Sequence, residues 1–197
     1  MVEHIVNTIF NSMTYILPVG DSRDCWLVDC GDVEKVIEQG WRVRGVFLTH
    51  AHFDHIYGLN RLMEVFPVAL IYTNEAGAEG LQNPKWNFSH YHDDVEDFVL
   101  VCPEKVKVVE QEGVLDLGDM QVDVLFVPGH EPSCLAFRIG NDLYTGDAYI
   151  PGVKVVTTFP RSKKQQAAES LARLQELERS GLKIMPGHWI ENNEKDK

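Results

Sequence analysis

The chain has 197 residues, of which 44% are hydrophobic and 24% charged, and its formal net charge is −12. This balance is typical of one soluble globular domain, and the acidic surface argues against a nucleic acid partner because phosphate backbones would be repelled. No apolar run is long enough to span a membrane. The first residues lack the basic and apolar regions of a signal peptide, so we expect a cytoplasmic protein.

Apolar runs rich in β-branched residues, separated by turn-forming residues, predict strands in the first half of the chain. These predicted strands cover residues 4–10, 13–19, 24–29, 43–48 and 68–72. Helical spacing of apolar residues predicts helices between them. These cover residues 33–39, 55–66 and 75–81. Asp32 is of a type that caps a helix, and we expect it to cap the first of them.

The second half of the chain also consists of predicted strands followed by a helix. Predicted strands cover residues 106–109, 114–117, 120–127, 134–139, 143–144 and 182–185. The longest predicted helix, 162–179, follows the capping-box sequence Ser162-Lys163-Lys164-Gln165. The long segment 73–103 is rich in aromatic and histidine residues near its centre. Two interpretations are open for it, a wall of a substrate pocket or a solvated surface loop.

Three histidines and one aspartate follow the predicted buried strand 43–48. They are His50, His52, Asp54 and His55. A strand that runs into a short loop and then a helix presents side chains at the edge of a sheet. Imidazole nitrogen and carboxylate oxygen at this density favour zinc, or another first-row transition metal, over calcium or magnesium.

Three further residues of ligand type come directly after predicted strands later in the chain. They are His130, Asp147 and His188, and each has a glycine immediately before it. Glycine allows a tight turn, so that the next side chain can point inward. Any one of these residues alone would be interpreted as structural. Together with the histidine loop they become candidate ligands of one site.

The set HxHxDH, PGH, TGD and a late GH resembles the metallo-β-lactamase superfamily, and within it the glyoxalase II-like hydrolases. The early Asp29-Cys30-Gly31 is similar to the DxG of that family. The resemblance implies a four-layer αββα sandwich of the α/β (α+β) class, forming a single domain over residues 1–197 with a polar tail at 190–197. The C-terminal helical domain that holds glutathione in the long glyoxalase II enzymes is not expected.

The resemblance also implies a site for two divalent metal ions, with zinc as first choice and iron or manganese as alternatives. His50, His52 and His130 would bind one ion. Asp54, His55 and His188 would bind the other, and Asp147 would bridge the two. Asp29 would steady the ligand loop.

Two metals can share a water, lower its pKa towards neutrality and make it a nucleophile. This chemistry predicts a hydrolase of a thioester, lactone or related ester, in which Asp54 orients the nucleophile. The alternatives are a mononuclear iron oxidoreductase of the persulfide dioxygenase type, a ribonuclease Z-like phosphodiesterase and a non-catalytic metal-stabilised binding protein. The expected partner is a small-molecule substrate, and a homodimer is left open. The candidate pocket residues are Trp86, Phe88, His90, Tyr91, Arg161 and Lys163.

Overall fold

The computed structural model describes residues 3–190, and the predicted tail falls almost wholly outside them. Its first sheet has six strands that follow chain order. They are β1 (Glu3–Val6), β2 (Met13–Pro18), β3 (Asp24–Val28), β4 (Arg42–Phe47), β5 (Leu70–Thr73) and β6 (Val106–Val108). The strands β1 to β3 are antiparallel, whereas β3 to β6 run parallel.

Parallel neighbours require crossover connections, and three short helices lie within them. They are α1 (Val33–Glu38), α2 (Leu59–Val65) and α3 (Glu75–Leu81). The second sheet has five strands in the order β11, β10, β9, β8, β7. They are β7 (Gly113–Asp116), β8 (Gln121–Phe126), β9 (Leu135–Ile139), β10 (Asp142–Gly146) and β11 (Lys183–Pro186), and the helix α4 (Lys164–Arg179) connects the last two.

Apolar side chains fill three layers. Trp26 and Phe47 of the first sheet pack with Phe137 and Tyr144 of the second in the middle layer. The outer face of the first sheet packs against α1, α2 and α3, and the outer face of the second packs against Leu174 of α4. This arrangement confirms the predicted four-layer αββα sandwich. Among residues 3–190, no helix has both the length and the apolar character that crossing a bilayer requires.

The two sheets are joined at one edge by backbone hydrogen bonds. Met13 N–H donates to the Gly187 carbonyl at 2.8 Å, and Trp189 N–H donates to the Asn11 carbonyl at 2.8 Å. The turn between β1 and β2 is therefore fixed to the end of β11, directly beside His188. The four cysteines, Cys25, Cys30, Cys102 and Cys134, are free.

Several predicted boundaries were wrong. The strand predicted over 4–10 ends at Val6, because Phe10 and Asn11 have φ angles of 54° and 55° and form a turn. The helix predicted from residue 55 begins at Leu59, because Phe53–His55 forms a separate 3₁₀ turn.

Neither predicted cap forms. Ser162 does not cap α4, because its hydroxyl donates to the His130 carbonyl at 2.6 Å, and the residue that precedes the helix is Lys163. Asp32 does precede α1, but its carboxylate makes no capping bond and instead accepts from Thr8 and Lys35.

Candidate metal centre

The structure brings the seven predicted ligand residues together at one edge of the sandwich. Each lies in a loop directly after a strand, and these strands are β4, β8, β10 and β11. Three groups of three residues each place one nitrogen or oxygen per residue within 4.8 Å of one another. They are His50/His52/His130, His50/His55/Asp147 and Asp54/His55/His188.

The first group contains imidazoles alone. His52 Nδ1 lies 3.2 Å from His130 Nε2, and the rings of His50 and His130 are 5.3 Å apart. The opposite ring nitrogen of His130 donates to the Val156 carbonyl at 2.8 Å. His50 Nδ1 lies 3.1 Å from the Thr49 hydroxyl. These contacts fix the ring orientations and leave Nε2 of His50 and of His130 facing the cluster.

The group Asp54/His55/His188 combines two imidazoles with a carboxylate. His188 Nε2 lies 3.3 Å from His55 Nε2 and 3.3 Å from Asp54 Oδ2. His188 Nδ1 donates to the Phe10 carbonyl at 2.9 Å, which aims its other nitrogen at the cluster. The Ser12 hydroxyl donates to the Asp54 carbonyl at 2.7 Å and so holds the backbone of the loop.

Asp147 lies between the two groups. Its Oδ2 is 3.6 Å from His130 Nε2, and its Oδ1 is 3.3 Å from His188 Nε2. The close approach depends on Gly187, where an added methyl group would overlap Asp147 Oδ1. This position is the one that a bridging ligand would occupy.

Asp29 holds the histidine loop from below. Its side chain is buried, and it accepts hydrogen bonds from Thr49 N–H and the Thr49 hydroxyl, both at 2.7 Å. Its Oδ2 also lies 2.9 Å from His55 Nδ1. The carboxylate therefore keeps the His55 proton on Nδ1 and leaves Nε2 free to bind.

Burial and neighbouring charge set the protonation of these groups. Burial first, and then the neighbouring imidazoles, lower the pKa of His50 well below its usual value and that of His52 to about 3. Burial would raise the pKa of Asp147, but His188, His55 and His50 outweigh it and hold that pKa well below its ordinary value. Unprotonated imidazoles and ionised carboxylates are the forms that bind a cation. Burial acts to lower the pKa of His55 and that of His188, but neighbouring carboxylates outweigh it and raise both, so a cation would displace a proton from these two histidines.

The donor set fits a transition metal. Among the described residues, His50 Nε2 and Asp147 Oδ1 belong to one group of possible ligands, and both are buried without a hydrogen-bond partner. Buried polar atoms are almost always satisfied, so two such atoms in one group favour a bound cation there. Imidazole with carboxylate suits zinc, iron and manganese.

The six predicted pocket residues are placed differently from one another. Phe88 packs edge-on against His52, with ring centroids 4.8 Å apart. The Arg161 guanidinium stacks on Trp86 at 4.3 Å, and Tyr91 packs beside Phe88. The remaining two are less closely tied to the cluster: His90 pairs with the carboxylate of Asp97 at 3.1 Å, and Lys163 is exposed ahead of α4.

Sequence reasoning missed Phe159, which contacts His52, His130 and Phe88 through its ring. It also missed the buried Asn87, whose carbonyl accepts from Phe53 N–H at 2.7 Å and so fixes the 73–103 segment to the histidine loop. A lone phenylalanine beside a proline carries no signal of such a role. The aromatic clustering around residue 88 was the only cue to this part of the site.

Residues next to His130 support its loop instead of reacting. Glu131 is buried, pairs with Arg161 Nε at 3.3 Å and accepts from Ser133 N–H at 2.7 Å. The Ser133 hydroxyl accepts from Ala51 N–H at 3.2 Å. Burial raises the pKa of the Cys134 thiol well above its usual value, so this cysteine stays protonated. These contacts argue against a nucleophilic role for Ser133 or Cys134.

Comparison with known proteins identifies the family and several relatives of this chain. The family model described as metallo-beta-lactamase superfamily matches residues 12–188. An acyl-coenzyme A thioesterase, MBLAC2 of Gallus gallus, is 30% identical over 160 residues, which cover 72% of this chain and 54% of that protein. A hydroxyacylglutathione hydrolase of Blochmanniella pennsylvanica is 28% identical over 173 residues, which cover 84% of this chain and 57% of that protein. The chain thus spans just over half the length of these two relatives.

Solved structures share the fold. The B3 metallo-beta-lactamase BLEG-1 superposes with a TM-score of 0.81 at 20% identity, over 96% of this chain and 92% of that one. The protein TTHA1623, crystallised in a di-iron-bound form, superposes with a TM-score of 0.77 at 23% identity, over 96% and 93% of the two chains. At these identities the likeness establishes the architecture alone.

Proposed function

Because the chain belongs to the metallo-beta-lactamase superfamily, we propose that it is a metal-dependent hydrolase of thioesters, lactones or related esters. The observation that carries this proposal is the convergence of seven nitrogen and oxygen donors at one sheet edge. No serine or cysteine near that edge is activated by a base among the described residues. Water is therefore the nucleophile that this site is suited to use.

The residues divide between two cation positions. His50, His52 and His130 would hold one divalent ion. Asp54, His55 and His188 would hold the second, with Asp147 in contact with both. When bound, such ions lower the pKa of water towards neutrality and polarise a carbonyl oxygen.

Side chains of the protein itself would accept the proton of the attacking water, orient the ligand histidines and exclude bulk water. Asp54 is ionised: burial acts to raise its pKa, but the adjacent His55 outweighs that effect and lowers it. Its carboxylate lies 3.3 Å from both His55 Nε2 and His188 Nε2 and would accept a proton from the attacking water. Asp29 keeps His55 in the tautomer whose Nε2 points at the site. Phe88 and Phe159 cover His52 and would exclude bulk water from the reacting carbonyl.

Thioesters are our preferred substrates within this class. One relative is named as an acyl-coenzyme A thioesterase and another as a hydroxyacylglutathione hydrolase, and both names favour an acyl group on a thiol. We assign Trp86, Phe88, Tyr91 and Arg161 to the wall of the substrate pocket. His90 and Lys163 would lie at its outer edge.

Zinc is our first choice of metal, with iron or manganese as alternatives, and one structural neighbour was crystallised with two irons. An iron oxidoreductase of the persulfide dioxygenase type is the competing function. The two functions differ in their co-substrate, because hydrolysis consumes water whereas the oxidoreductase consumes oxygen. Metal analysis combined with an oxygen electrode separates them.

The test is a screen of the full chain, supplemented with zinc, manganese or iron, against thioesters, lactones and phosphodiesters. We expect turnover of thioesters or lactones, with about two metal ions per chain. Oxygen uptake with one iron per chain would contradict the proposal. Bound metal without turnover of any substrate in the screen would contradict it in favour of a binding protein.

A further inference from the structure

Residues 9–12 form an unusual turn at the edge of the site. Ser12 N–H donates to the Ile9 carbonyl at 3.2 Å, and the two central residues, Phe10 and Asn11, have φ angles of 54° and 55°. This is the pattern of a type I′ turn, which favours asparagine, aspartate and glycine. A bulky side chain such as Phe10 in that conformation shifts the folding equilibrium unfavourably by about five- to thirtyfold.

Folding does not explain why phenylalanine occupies this position. The side chain of Phe10 is 60% exposed, so burial of its ring offsets little of the conformational cost. The carbonyl of Phe10 does accept a hydrogen bond from His188 Nδ1 at 2.9 Å. That bond uses the backbone alone, and any residue could supply it. The side chain therefore requires a separate reason, and strained residues occur preferentially at functional sites.

Phe10 lies beside His188, in a turn that is adjacent to the exposed segment after that histidine, because Trp189 N–H donates to the carbonyl of Asn11. The Trp189 ring stacks on His4, with centroids 6.2 Å apart, and is not part of this surface. Ile190 is 45% exposed and apolar. We call Phe10 and Ile190 the Phe10 patch. The Phe10 ring also packs against His92 of the 73–103 segment, with ring centroids 5.4 Å apart.

The two sides of the cluster differ in polarity. On the His130 side, the Arg161 guanidinium stacks on Trp86 beside the buried Glu131, which suits a polar or anionic group. On the His188 side, the Phe10 patch offers exposed apolar side chains. A substrate whose carbonyl lies at the cluster would have one substituent on each side.

We propose that the Phe10 patch binds the apolar acyl chain of the substrate, so that the protein acts on acyl esters or thioesters with a chain of several methylene groups. This inference rests on the proposed hydrolase function and names the substrate class of that site. Phe10 is a specificity residue in this account. It contacts the acyl chain and has no part in the reaction at the carbonyl.

The test compares the wild type with Phe10→Asn on straight-chain acyl thioesters of two to ten carbons. Asparagine suits the turn, so the variant should be more stable to urea while the carbonyl bond to His188 is retained. For the wild type, kcat/KM should rise by about two- to fourfold per methylene, as expected for a chain that leaves water. In Phe10→Asn this rise should flatten, mainly through KM.

Val68→Asn is the matched control, because Val68 is 81% exposed and lies between α2 and β5, away from the cluster. It should keep the wild-type dependence on chain length. A Phe10→Asn variant with the wild-type profile would overturn the inference, and so would one that is less stable than the wild type.

A binding measurement separates this inference from the proposed hydrolysis. Calorimetry of the metal-loaded wild type with acetate, hexanoate and decanoate should show affinity rising with chain length, and Phe10→Asn should remove most of the rise. That result supports the patch even if no thioester is turned over. Equal affinities in the two proteins, or a dimer of the wild type that Phe10→Asn dissociates without changing carboxylate binding, would overturn it.

Discussion

Replacing Asp29 with asparagine should weaken one of the two proposed cation positions while the fold persists. The two carboxylate oxygens of Asp29 accept from Thr49 N–H at 2.7 Å, the Thr49 hydroxyl at 2.7 Å and His55 Nδ1 at 2.9 Å. An amide has only one acceptor oxygen. If that oxygen keeps the Thr49 backbone bond, the amide NH₂ faces His55 and forces its proton onto Nε2.

Both consequences can be given a magnitude. The proton on Nε2 would occupy the lone pair that the second position needs, and loss of such an orienting partner typically lowers metal affinity about 10–100-fold. Loss of one charged hydrogen bond in a buried setting should cost about 1–3 kcal/mol of unfolding free energy. The first position, built from His50, His52 and His130, should keep its affinity.

Calorimetric titration of the metal-free chain with zinc provides the assay. The wild type should bind two ions with similar affinity, and Asp29→Asn should show one tight and one weakened site. Asp32→Asn is the matched control, because Asp32 lies three residues later and bonds to Thr8 and Lys35 instead of a ligand. Unchanged affinities in Asp29→Asn would refute the tautomer argument.

Three further predictions concern single residues. His52→Ala should lower metal content and abolish hydrolysis, because it removes a donor from the imidazole group. Gly129→Ala should lower the unfolding free energy by about 2–4 kcal/mol, because φ is 133° there and a methyl group would overlap the backbone of α4. Burial acts to raise the pKa of Asp32, but hydrogen bonds outweigh it and lower the pKa below 3.8. The carboxylate of Asp32 therefore stabilises the fold at neutral pH, and its advantage over asparagine should fade as the pH falls below about 4.

Each of these predictions has a control or a contrary outcome. His4→Ala removes an exposed histidine outside the cluster and should leave metal content unchanged; full activity in His52→Ala would contradict the mechanism. Gly140→Ala changes a glycine at φ 60°, where an added methyl group would have no heavy atom within 4 Å. It should cost only about 1–2 kcal/mol, and equal losses at the two glycines would contradict the packing argument. A stability difference between wild type and Asp32→Asn that does not shrink as the pH falls from 7 to 3 would contradict the pH argument.

The resemblance to the metallo-β-lactamase superfamily predicted the sandwich, and the residues that carry this resemblance lie in short local stretches. Buried strands followed by ligand residues at His50, His130, Asp147 and His188 carry their own signal in short stretches. Strand order within each sheet then places those stretches at one edge. The convergence of these residues follows from the topology.

Tertiary contacts account for what the sequence did not predict. Ser162 has a capping-box sequence, but the carbonyl of His130 is a nearer partner for its hydroxyl. Phe10 extends an apolar run and looks like strand, yet the bond from His188 and the link to Trp189 hold it in a turn. Phe159 reaches the site from a loop far along the chain. No spacing rule detects such contacts, because their partners are distant in sequence.

The central claim is that two divalent cations bind among these seven residues. Crystals grown with zinc and measured on both sides of its absorption edge test it most directly. The account predicts two anomalous peaks, one among His50, His52 and His130 and one among Asp54, His55 and His188, with Asp147 touching both. A single peak, or peaks away from these residues, would contradict it.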